Sequence, residues 1–455
     1  MKRARVRADM ARAPAPSTGH DTVVLDSGGG FVRAGFASET RPRVNEPNCS
    51  ADAVRPVETP LALGEDARKL PACTLHRPTN SGLLLDLDQQ QAIWDTVLSR
   101  PAFSTMAPTE SSILVTEALC TPKVLRSEVA EVLFEYFGFR QVGIVPAPHL
   151  ALHSPGLAGM LDKRNPCCTL LDVGFSGCAA VPCLERRPVA NTSRRSGVGG
   201  QLLTNLLGDR LRLRHYDLSS NWLLTEDIFA STCMVSANFD ADLRSRFMKV
   251  GPAIYELPDF KRTWRGSLLK DAAPEPPGRS GVGDPQRVTL KAERVVVAEA
   301  LFNPRDHGIR AAGVADVVTQ AVRSVHDMAI QTHLGQVAVC GGLARLPHFT
   351  ERLQRELRER MPPDSPVTVV AEAEPELSAW CGGAHLVRED PEFRANHIRS
   401  KSAWFEEGPR RTSALGRHVK AAVPRSTTAC GGARSVESSA GTAAAASAKR
   451  PILIW

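Results

Sequence analysis

Hydrophobic residues first gather between Thr22 and Leu25, stop at Asp26 and the turn Ser27-Gly-Gly-Gly30, and resume as Phe31–Phe36. An apolar run, a glycine turn and a second apolar run predict two strands joined as a hairpin. The pattern returns at Cys168-Thr-Leu-Leu-Asp172-Val-Gly174, followed by a strand-like Ala179–Cys183. A third run, Val339-Cys-Gly341-Gly342, also ends on glycine. One such turn alone reads as a structural hairpin. The repetition predicts two related lobes, each offering one carboxylate and one glycine turn to a shared cleft.

Between these marks the periodicity alternates. Ser112–Val115 reads as a buried strand, and Gln89–Leu98 as a helix with Ile93, Trp94 and Val97 on one face. Thr121-Pro122 predicts a helix start with proline in the first turn and an end near Phe137. Gly197–Asn205 predicts a glycine turn feeding a helix N-terminus. Residues 49–82, polar and proline-bearing, read as a small excursion outside the core. The Pro/Gly-rich stretch 272–287 reads as a surface insertion, and the Ala/Ser/Arg-rich sequence after Gly408 as a tail without a packed core.

Of 455 residues, 42% are hydrophobic, enough for two substantial cores. The net charge of +7 is unevenly placed. Residues 1–20 carry five Lys/Arg against Asp9, and residues 410–455 carry eight against Glu437, which leaves about −4 for the stretch between. A mildly acidic body argues against direct DNA readout and leaves weak phosphate contact to the tails. The arginine-rich start is open to three readings: a transit peptide, a nuclear-type basic cluster or a plain extension. Eleven cysteines without a C-x-x-C pair argue against a disulfide framework or zinc site. No apolar run approaches the length of a membrane span, so no membrane partner is expected.

A glycine turn lets successive backbone N–H groups approach an anion closely, because no Cβ intervenes. Two facing turns can grip a triphosphate. Asp26 and Asp172 suit water-mediated contact to a nucleotide-bound magnesium, and Gly341-Gly342 would cover the adenosine side.

These features, with Ser81-Gly-Leu-Leu-Leu-Asp86, Leu114-Val-Thr-Glu-Ala118, Thr121-Pro-Lys123 and Ser378-Ala-Trp-Cys-Gly-Gly383, resemble the actins and their relatives over roughly residues 21–407. The resemblance implies an α/β, two-lobed actin-like ATPase fold, with ribonuclease H-like lobes around a nucleotide cleft. It implies a first lobe at 21–165 with a small subdomain at about 49–82. A second lobe would span 166–380 with an insertion at about 268–287, a returning segment 381–408, and basic extensions at 1–20 and 409–455. It implies ATP and magnesium held by Asp26, Ser27, Gly28, Gly29, Gly30, Arg33, Asp172, Val173, Gly174, Gly199, Gly200, Gly341 and Gly342.

The same resemblance exposes departures. Actins orient the attacking water with a glutamine and a histidine; those positions fall at Ala147 and Ala179, which can neither orient a water nor accept its proton. The Lys-Glu pair that clamps the base falls at Phe229-Ala230, Phe175 narrows the second turn, and Arg33 replaces a phosphate-contacting lysine. His149 and His153 lie nearby in a packing or surface role. No catalytic residue is expected, and nucleotide would be bound without turnover or not at all.

Val198–Asn205, Tyr255–Phe260, Glu299–Pro304 and Asp306–Ile309 are most similar to a nuclear branch of the family that serves SWR-type chromatin remodellers. That implies a nuclear scaffold in histone-variant exchange, partnered by a remodelling ATPase and small subunits, with nucleosomes or histones contacted indirectly. The alternative is a divergent cytoskeletal actin-like protein, disfavoured by the Pro/Gly insertion; a chaperone-like ATPase or sugar kinase is a distant third.

Overall fold

The computed structural model describes residues 22–54, 61–244, 251–269 and 285–407, all within one compact unit. The extensions at 1–20 and 409–455, the terminal Ile452–Trp455 and most of the insertion at 268–287 lie outside the described residues.

Two mixed sheets repeat one plan. In the first, Thr22–Ser27 and Phe31–Phe36 form an antiparallel hairpin extended by Val44–Pro47. On the other side Ser112–Glu117 and Gln141–Pro146 run parallel to Thr22–Ser27. In the second, Cys167–Val173 and Cys178–Leu184 form the hairpin, and Gln336–Cys340 and Thr368–Ala371 add in parallel. Both acid-bearing strands are therefore central and covered on both faces, which explains why they read as unbroken apolar runs and not as alternation. The strands extend the predicted runs by one or two residues, because ladder hydrogen bonds continue past the last apolar side chain.

Helix Leu87–Leu98 begins two residues before the predicted start, since the Asp86 side chain caps it by accepting from Gln89 N–H. It buries Ile93, Trp94 and Val97 against Val23, Leu25 and Ile113. The helix expected over 121–137 differs from the prediction. It runs Lys123–Glu131 and then widens into a π-helical turn, Val132–Tyr136. Pro122 stands outside it, with an extended ψ of 145°, and not in its first turn.

Helix Ser378–Glu389 returns from the second lobe to the first. Trp380 is fully buried, and its indole N–H donates to the Val24 carbonyl at 3.0 Å. A Cβ on Gly382 would collide with the Leu150 carbonyl, so glycine is what allows this helix to lie against Ala147–Ala151. The second-lobe core is larger: Leu203, Leu207 and Leu211 of helix Gly200–Arg214 and Leu353 and Leu357 of Phe349–Arg360 pack around Val337 and Val339. Each such leucine contributes about 1.5–3 kcal/mol through burial.

Residues 49–82, expected as a small excursion outside the core, carry a small cluster of their own. A three-stranded sheet, Ala62–Leu63, Ser50–Ala53 and Cys73–His76, encloses Cys49, Ala51, Ala67 and Cys73. Leu223 of the second lobe completes that cluster. The small size of Ala and Cys hides such a core from a hydrophobic pattern.

Candidate functional site

The two lobes meet around a cavity of about 690 Å³. Its lining includes Asp26 through Gly30 and Arg33 from the first turn and Asp172, Gly174 and Phe175 from the second. Gly200, at the start of helix Gly200–Arg214, and the pair Gly341-Gly342 close it. Two predicted site residues are not brought there. Val173 alternates to the opposite face of its strand and is buried in the second-lobe core, and Gly199 packs beneath the turn against Gly177 and the Phe175 carbonyl.

The departures from the actin pattern converge on the same space. Ala147 opens a short helix at the end of Gln141–Pro146, and Ala179 stands opposite Asp172 across the hairpin; both line the cavity, as do Phe229 and Ala230. The lining therefore presents methyl groups at the two positions, and an aromatic ring at the third, that the sequence comparison singled out as departures.

Asp26 is already engaged. Arg33 Nη1 donates to its Oδ2 at 2.9 Å, and Thr116 donates to its Oδ1 at 2.8 Å. Thr116 Oγ1 also accepts from Ser27 N–H, while the Ser27 hydroxyl accepts from Trp94. Arg33 thus neutralises the carboxylate and does not present a free cation to phosphate. The Asp172 carboxyl is pushed up to about 7 by burial and by the neighbouring Asp26, against the opposing pull of Arg195 and Arg33. Among the described residues no three His, Cys, Asp or Glu gather as a metal site.

The turns themselves touch. A Cβ on Gly30 would lie 2.9 Å from Phe175 Cβ, and one on Gly29 would collide with the Ser176 hydroxyl. Gly341, at φ 92°, approaches Asp172 and the Val173 carbonyl as only glycine can. A magnesium–triphosphate would meet an altered setting in this cavity, because the Asp26 carboxylate is already paired with Arg33 and the two turns approach each other closely at Gly29, Gly30, Phe175 and Ser176.

His149 and His153, on and just after helix Ala147–Ala151, are both driven down to about 4, chiefly by burial. Both rings are half-buried, and the lowered values favour their neutral form at pH 7.

Sequence reasoning missed the residues that cross the cleft. Arg77 donates to the carbonyls of Gly29, Gly30 and Asn48, pairs with Glu226 at 2.5 Å, and lies 4.2 Å above the Phe175 ring. Arg195 spans to the Leu119 and Ser81 carbonyls at 2.8 and 2.9 Å. Neither sits in a motif, and each makes its contacts only after distant segments have folded. Among the described residues no helix is long and apolar enough to cross a membrane.

Comparison with known proteins agrees with this architecture. The family model described as Actin matches residues 17–414. "Actin-related protein 6" of Oryza sativa subsp. indica is 30% identical over 430 residues, covering 86% of this chain and 98% of the relative. The protein of the same name from Arabidopsis thaliana is 30% identical, with 86% of this chain and 97% of the relative covered. That from Neurospora crassa is also 30% identical, with 84% and 90% covered. With the two-sheet plan, the paired glycine turns and these matches in agreement, the chain belongs to the actin family.

Proposed function

We propose that this actin-family chain is a non-catalytic structural subunit of a nuclear chromatin-remodelling complex of SWR type, engaged in histone-variant exchange. The observation that carries the non-catalytic half is the cavity lining: Ala147 and Ala179 stand where hydrolysis needs polar groups, beside an Asp26 already paired with Arg33. An actin fold without turnover retains its surfaces, and surfaces are what an assembly uses. The nuclear half is supported by similarity to relatives named Actin-related protein 6 over most of their length. Its partners are a remodelling ATPase and small dedicated subunits, with histones or nucleosomes contacted indirectly and DNA touched weakly by the basic extensions. Affinity purification of the tagged full chain with mass spectrometry tests this reading. Recovery of a remodelling ATPase and histone-exchange subunits supports it; recovery of actin- or tubulin-associated factors alone favours a cytoskeletal role.

A further inference from the structure

Actin-type clefts place a ligand between two lobes, and here protein groups span that gap. On the first-lobe side stand Gly29, Gly30, Asn48 and Arg77; on the second-lobe side stand Phe175 and Glu226. Phe175 packs on Gly30, and the Arg77 guanidinium covers the ring at 4.2 Å. The same guanidinium donates to Gly30 O at 2.9 Å and to Glu226 at 2.5 Å, with both side chains about nine-tenths buried.

Further contacts join the same segments. Arg68 pairs with Asp227 at 2.5 Å, Cys73 N–H donates to Ser220 O at 2.8 Å, and the Asn221 amide donates to the Leu70 carbonyl at 3.1 Å. Helix Trp222–Thr232, which carries Glu226 and Asp227, thereby holds the small sheet around Cys49 through charge, hydrogen bonding and the apolar Leu223.

We propose that Arg77 and Phe175 form an internal bolt across the cleft, which replaces a bound magnesium–nucleotide as the link between the lobes and narrows the approach of its polyphosphate to the glycine turns. A desolvated arginine joined to one carboxylate and several carbonyls ties the two sides by charge-assisted hydrogen bonds, and the aromatic ring packs between it and the first turn. Closure is then a property of the folded chain and not of ligand supply. The inference depends on the cleft geometry and not on the nuclear assignment, so the exchange experiment below and the purification above fail independently.

Hydrogen exchange on the full chain tests it, with magnesium–ATP as the probe. In the wild-type protein, amides of 61–76 and 222–232 keep their exchange rates when magnesium–ATP is added. In Arg77→Ala both segments exchange faster together, by about 100-fold, as expected when one partner of a buried pair is removed. Glu226→Gln, which keeps the shape and loses the charge, moves the same segments in the same direction and carries the test if Arg77→Ala does not fold. Two results overturn the proposal: slowing of these amides by tenfold or more when magnesium–ATP is added to wild type, or wild-type exchange in a folded Arg77→Ala or Glu226→Gln protein.

Discussion

The guanidinium of Arg33 sits 2.9 Å from the carboxylate of Asp26, and the two side chains are nearly closed off from water. An ion pair of this kind is costly to form but costlier to break, because either partner alone is a stranded buried charge. It turns the residue best placed to approach a metal into a structural element of the first-lobe hairpin, where Asp26 and Arg33 are also register partners.

Asp26→Ala is accordingly expected to destabilise the protein by about 3–5 kcal/mol, with Arg33 left unpaired. Asp26→Ala combined with Arg33→Met should recover part of that loss. Denaturant midpoints of the two variants check this; a harmless single variant would show the pair to be unimportant.

Acid should destabilise the fold. His149 and His153 are lowered to about 4 in the folded state from an ordinary value near 6.5. The unfolded chain therefore takes up protons first, and stability is fully present above about pH 6.5 and declines as pH falls toward 4. Thermal midpoints between pH 7.5 and 4.5 read this out. Replacing both histidines with glutamine should flatten the decline, and an unchanged slope would assign it to other groups.

Asp172 works in the opposite direction. Its folded value, raised to about 7, makes ionisation unfavourable in the native state, so its contribution is best below the unfolded value near 3.8 and worsens as pH rises through 7. Asp172→Asn should therefore stabilise the protein by on the order of 2 kcal/mol at pH 8 and by little at pH 4. Destabilisation at pH 8 would mean that the carboxylate has an ionic partner in solution.

In the second lobe, Arg352 pairs with Glu299 at 2.9 Å and with Glu356 at 2.7 Å, and covers Phe302. The Glu299 side chain has no exposure. Arg352→Ala is expected to cost about 3–5 kcal/mol by stranding that carboxylate. A denaturation midpoint within error of wild type would contradict the buried-pair account.

Much of the fold was legible because its strongest signals are local. Thr22–Asp26 and Cys168–Asp172 announce central strands by continuous hydrophobicity, and their glycines announce the turns. The position of Trp380 followed from its motif, but its hydrogen bond to Val24 comes from a segment more than 350 residues away. The site was legible in outline only. The sequence places Asp26, Arg33 and Phe175 near a cleft, yet it cannot say that Arg33 turns inward to Asp26 or that Phe175 packs on Gly30. Arg77 and Glu226 carry no motif, and their pairing depends on how an excursion and a distant helix meet. The small core of Cys49, Ala51, Ala67 and Cys73 was missed because compact side chains on short strands leave little hydrophobic pattern.

The most direct test of the central claim is phosphate release by the purified full chain at saturating magnesium–ATP, with Asp172→Asn as the control. With Ala147 and Ala179 lining the cleft and Asp26 held by Arg33, release should stay at the background rate and be the same for wild type and variant. Sustained, saturable release by wild type that Asp172→Asn abolishes would contradict the account.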